Sequence, residues 1–81
     1  MSKVGVVFKV FAEEGKLDSV MEAIKSMKPQ DLRKEELAFG ISVAKVLFVF
    51  DDSETGSSKI EEKLKGINGV SEVDVEEETL V

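Results

Sequence analysis

The chain has no cysteine, histidine, tryptophan or tyrosine, and only one proline and one arginine among its 81 residues. Without cysteine there are no disulfides, no thiolate zinc site and no thiol nucleophile. Without histidine the usual general base and the commonest transition-metal ligand are both missing. What remains for chemistry is carboxylates, lysines, one arginine and hydroxyls, so the composition argues against an enzyme. The missing thiols also fit a reducing, cytoplasmic setting.

Basic charge is scarce as well. Lys and Arg total 11 against 17 Asp and Glu, a net charge of −6. Phosphate backbones are bound through excess cationic side chains, so direct nucleic-acid binding is not expected. The longest apolar run falls far short of the ~20 residues that span a bilayer, so no membrane role is expected. The start, MSKVGVVFKVF, has a lysine inside its apolar stretch and no small-residue cleavage site. It reads as a first strand and not as a signal peptide.

The length predicts a single domain over residues 1–81. Val4, Val6, Phe8 and Val10 alternate with Gly5, Val7 and Lys9, the period of a strand covered on one face. Leu17, Val20, Met21, Ile24 and Met27 then follow helical spacing, and Pro29 marks the helix end. Residues 32–37, LRKEEL, fit a short charged edge strand. Residues 41–50 are the most apolar segment. Ala44, Val46, Phe48 and Phe50 form one register, and Ile41, Val43, Lys45, Leu47 and Val49 form the other.

Asp51 to Gly56 reads as a loop. Ser58-Lys59-Ile60-Glu61 then matches a capping box, in which a serine hydroxyl and a glutamate satisfy the first N–H groups of a helix. Ile60, Leu64 and Ile67 supply that helix's apolar stripe, and Gly66 or Gly69 closes it. Val70 to Val75 alternates as a last strand, and the acidic stretch from Glu76 is expected to be a solvated tail.

The predicted order, strand–helix–strand–strand–helix–strand, is the split βαβ or ferredoxin-like arrangement. It is an α+β βαββαβ fold, a four-stranded antiparallel sheet with two helices on one face. The apolar first and third strands belong at its centre and the charged second and fourth at its edges.

Few residues suggest a site. Asp51, Asp52 and Glu54 lack the ligand spacing of a calcium loop and fit a solvated turn. Gly56, Gly66 and Gly69 match no phosphate-binding spacing. Nothing pairs Glu13-Glu14 with Glu35-Glu36 as an acid–base couple. No cofactor or metal is expected. The open sheet face should show Val7, Lys9, Val43, Lys45 and Leu47, while Phe48 and Phe50 face the helices, which is unlike an RNA-stacking surface. That leaves Phe39, between Ala38 and Gly40 where polar turn residues are expected. It either folds back onto the core or projects as an aromatic anchor for another protein.

Residues 35–52, EELAFGISVAKVLFVFDD, and 60–77, IEEKLKGINGVSEVDVEE, resemble the translation elongation factor 1-beta family in its short archaeal form. The likeness rests on the A-F-G turn, the acidic end of the third strand and the I-x-G-V-S-x-V-D-V ending. It is good over residues 35–75. The first strand and helix agree in order and length more than in residues.

The resemblance implies guanine-nucleotide exchange on elongation factor 1-alpha, the GTPase that delivers aminoacyl-tRNA. It implies a cytoplasmic protein, a monomer when free, with no bond-making of its own. By position, Phe39 matches the aromatic residue that contacts the GTPase, and Ala38 and Gly40 shape its turn. The eukaryotic relative places a lysine beside its C-terminus to displace magnesium. Here that partner-binding position is Leu80, after Glu76, Glu77 and Glu78, so the lysine mechanism does not carry over. From the residues alone, the alternative is a ligand-sensing or oligomerising ferredoxin-like module associating through Val7, Val43 and Leu47.

Overall fold

A computed structural model describes residues 3–51 and 57–80. The loop reading at 52–56 lies outside them, as do Asp52 and Glu54 of the cation reading. The elements run β1 (Lys3–Ala12), α1 (Leu17–Lys25), β2 (Asp31–Glu36), a 3₁₀ turn (Ala38–Gly40), β3 (Ser42–Asp51), α2 (Ser57–Lys65) and β4 (Val70–Leu80). The sheet is antiparallel with strand order β2-β3-β1-β4, so the expected fold and the expected central pair both hold.

Pairing between β1 and β3 sets Val4, Val6, Phe8 and Val10 opposite Phe50, Phe48, Val46 and Ala44. Side chains of paired residues share a face, so one apolar wall forms. Phe8 and Phe48 meet edge to face with ring centres 6.1 Å apart. Val20 and Ile24 of α1, and Ile60 and Leu64 of α2, close the core from above, with Leu17, Met21, Met27 and Ile67 packed around it. Each large side chain removed from water here contributes about 1.5–3 kcal/mol.

Four local expectations change. α1 ends at Lys25, earlier than Pro29 alone suggested, and Lys28 before the proline takes a left-handed φ of 56°. α2 already begins at Ser57, which puts Ser58 within its first turn. Glu61 pairs along the helix with Lys65 at 3.5 Å, so the capping-box reading at 58–61 is withdrawn. Val43 is fully buried despite its open-face register, where Glu35 on β2 lies opposite it.

The acidic stretch after Val75 is not a solvated tail but the second half of β4. Its backbone pairs with β1 as far as Val4 opposite Leu80. A register shift falls within this pairing. Phe8 pairs with Val75 but Val7 pairs with Glu77, so Glu76 is the extra residue of a β-bulge.

Replacing the wholly buried Phe8 should be among the most damaging single changes. We expect Phe8→Ala to lower unfolding free energy in urea by about 3–5 kcal/mol.

Candidate functional site

Antiparallel geometry puts the β2–β3 turn at the end of the sheet where β1 finishes and β4 begins. There Phe39 is 98% exposed and Ile41 53% exposed, the two most exposed large apolar side chains described. Apolar side chains exposed together in this way mark interaction sites more often than single ones do. The ring does not fold back onto the core.

The backbone explains the projection. Phe39 has φ 63° and Gly40 has φ 74°, two consecutive left-handed residues. An L-residue carrying a Cβ costs about 1–2 kcal/mol in that region, so the surrounding turn must hold Phe39 there. The turn is closed by the Leu37 N–H donating to the Ile41 carbonyl at 2.6 Å and the Ile41 N–H donating back to Ala38 at 3.4 Å. Ala38, Phe39 and Gly40 are therefore one small rigid unit.

Leu80 is not part of it. Its backbone lies opposite Val4, at the other end of the sheet. The two ends are separated by roughly 25 Å of strand, at about 3.3 Å per residue. The four residues singled out from the sequence thus lie at two separate places and not one.

On the open face the structure adds an arrangement that sequence reading missed. Arg33, Lys45 and Lys9 stand directly opposite one another on β2, β3 and β1. Adjacent like charges repel, and carboxylates answer them. Lys45 contacts Glu35 at 3.0 Å and Glu76 at 3.4 Å; Lys9 reaches Glu76 at 4.0 Å, and Arg33 bonds Asp31 at 2.9 Å. Glu76 reaches both lysines from the bulge. The lone lysine in each central strand was the legible half of this lattice. The bulge that supplies its partner had no sequence signal.

The hydrogen bond from Lys45 holds the Glu35 carboxyl below its usual range, helped by the ammonium's charge. Lys45 is raised in turn by its bonds to Glu35 and then Glu76. A cleft of about 480 Å³ lies on this face, lined by Val7 and Leu47 with Asp31, Arg33, Lys45 and Glu76. With Val43 buried and Val7 and Leu47 half-buried, the face has less apolar surface than its sequence register suggested. Among the described residues, no cluster of acidic side chains is arranged to hold a metal ion. None of their helices is long and apolar enough to cross a membrane.

Fold and surface together define a small ferredoxin-like protein whose outstanding surface feature is an aromatic side chain on a stiffened turn. Residues 4–81 match the family model of the EF-1 guanine nucleotide exchange domain. The chain is 39% identical to an elongation factor 1-beta of Ignicoccus hospitalis, over 94% of this chain and 89% of that one. It is 36% identical to an elongation factor 1-beta of Aeropyrum pernix, over 94% and 93% of the two chains. With an elongation factor 1-beta of Methanospirillum hungatei it shares 34% identity over the whole of both. The chain belongs to the EF-1 guanine nucleotide exchange domain family, which makes it a translation factor with an exchange role and implies a translation GTPase as its partner.

Two outcomes test this geometry. A Cβ on Gly40 would meet nothing within 4 Å, so Gly40→Ala should destabilise only through its φ, by about 1 kcal/mol. Gly40→Asn should recover part of that loss in the same melting experiment, because asparagine tolerates the left-handed region.

In an NMR titration Glu35 should ionise below the ordinary glutamate range, and Lys45→Met should return it there. A folded value below the unfolded one means the pair stabilises above the unfolded value, and that the gain disappears as pH falls through the folded one. For Lys45 the gain holds below the unfolded lysine value and is lost as pH rises through the raised one.

Proposed function

We propose that this protein is a guanine-nucleotide exchange factor acting on elongation factor 1-alpha, and that Phe39 is its principal anchor. The observation that carries this reading is the ring itself, almost wholly exposed on a turn that spends backbone strain to hold it outward. Strain kept in a native structure is a pointer to function. A rigid exposed aromatic filling a pocket on a partner is a common centre of binding energy. Ala38 and Gly40 are the frame of that anchor. Leu80, at the far end, is a second contact.

Exchange needs no nucleophile and no general base. The factor must bind the nucleotide-free GTPase more tightly than the GDP-bound form. Each ligand then weakens the other, and incoming GTP releases the factor. A chain without histidine or cysteine is sufficient for that task. We read it as a cytoplasmic protein, a monomer when free, whose 81 residues act as one unit and transfer no chemical group.

The way in which magnesium is lost follows from the charges. Position 80 carries leucine, so that position brings no ammonium to repel the ion. Lys9, Lys45 and Arg33 are the cations of the open face, and all three are engaged by carboxylates. Exchange by deformation of the GTPase's nucleotide-binding loops fits this protein better than direct displacement of magnesium by a lysine.

The decisive measurement is GDP release from cognate elongation factor 1-alpha. Saturating protein should accelerate release, and an unchanged rate would end the proposal. Phe39→Ala should weaken binding to the nucleotide-free GTPase by about tenfold or more, since anchors of this kind contribute more than about 1–2 kcal/mol. Its unfolding free energy should stay within about 0.5 kcal/mol of the parent. Full potency in Phe39→Ala would remove the ring from the contact.

A further inference from the structure

The end of the sheet that carries Phe39 also holds a cleft of about 530 Å³ between the β1–α1 loop and the β2–β3 turn. Ala12, Leu17 and Ile41 supply its apolar lining, and Gly40 of the anchor turn borders it. Its charged lining is unbalanced: Glu13, Glu14 and Asp18 against Lys34 alone. All four of these side chains are exposed, and none makes an ion pair with any described residue.

The contrast with the open face is informative. There each cation is met by a carboxylate of the same molecule, so that cleft is electrostatically closed on itself. Here three carboxylates face a single lysine, none of them paired among the described residues, beside exposed Phe39 and Ile41. The cleft is also preformed. The Glu13 N–H donates to the Gly69 carbonyl at 2.7 Å, and the Lys16 N–H donates to the Glu13 carbonyl at 2.9 Å, which ties the loop to the start of β4 and to the first turn of α1.

We propose that this cleft receives a lysine or arginine side chain of the GTPase that takes up Phe39. Recognition at this end is then reciprocal: an aromatic ring goes out to the partner, and a cation comes in. The inference rests on the exchange-factor reading above.

Two features select a basic side chain over other occupants. A long basic side chain lays its methylenes on apolar surface while its charged head stays among polar groups, which matches a lining of Ala12, Leu17 and Ile41 beside three acids. A bare metal ion is the competing cation, but the described acids form no group able to hold one. Uncompensated charge at the rim of an apolar contact also speeds encounter with a partner of opposite sign and fixes its orientation.

The test is association of the whole protein with nucleotide-free elongation factor 1-alpha, followed at several salt concentrations. The variants are Glu13→Gln/Glu14→Gln/Asp18→Asn, the single reversal Glu14→Lys, and a control removing three exposed acids elsewhere, Glu62→Gln/Glu72→Gln/Asp74→Asn. The cleft triple variant should associate about tenfold more slowly, with a flatter dependence on salt, as expected when steering charge is lost. Glu14→Lys should move the rate in the same direction, and the control should stay close to the parent.

A triple variant that associates like the control, with the same salt dependence, would overturn the cleft proposal. Retained binding by the parent and its loss in Phe39→Ala would leave the exchange reading standing in that case. A parent protein that never binds the nucleotide-free GTPase would overturn both.

Discussion

The antiparallel pairing of β1 with β3 is the constraint on which the rest of the structure depends. It lines up Val4, Val6, Phe8 and Val10 with Phe50, Phe48, Val46 and Ala44 to make one continuous apolar wall. A chain of this size has little surface to bury, so both helices are committed to covering that wall. One face of the sheet is thereby sealed and the other left to polar groups. The same pairing fixes where each turn emerges, and so where Phe39 stands.

On the uncovered face the sheet solves a different problem. Three cations face one another across neighbouring strands, and carboxylates from β2 and from the β4 bulge neutralise them. Exposed pairs of this kind add little stability singly. Their effect here is to leave the face without strong net attraction for polyanions.

Much of this was legible in the sequence, because period-two and period-3.6 patterns report directly on which side chains must leave water. The alternation at 4–10 and 44–50 and the stripe from Leu17 to Ile24 located the central strands and the first helix. The second half of β4 was illegible for the opposite reason. Glu76-Glu77-Glu78 has no apolar alternation, and it is held by backbone pairing to β1, which composition does not record. The bulge likewise depends on a long-range register. For the site, Phe39 was conspicuous as an aromatic in a turn, but its outward direction depends on two consecutive left-handed residues, a tertiary outcome. The distance between Phe39 and Leu80 followed only from strand order.

The exposed tip has a consequence for how such a protein can change over generations. Phe39 contributes nothing to the buried cluster, so under the anchor role proposed above folding and recognition draw on separate sets of atoms. Where one residue serves both needs, a substitution that sharpens one tends to erode the other. Here the tip can be exchanged for a different ring or an aliphatic group with little penalty to the scaffold. Under that role, a lineage whose GTPase drifts in shape can follow it by altering a single exposed position.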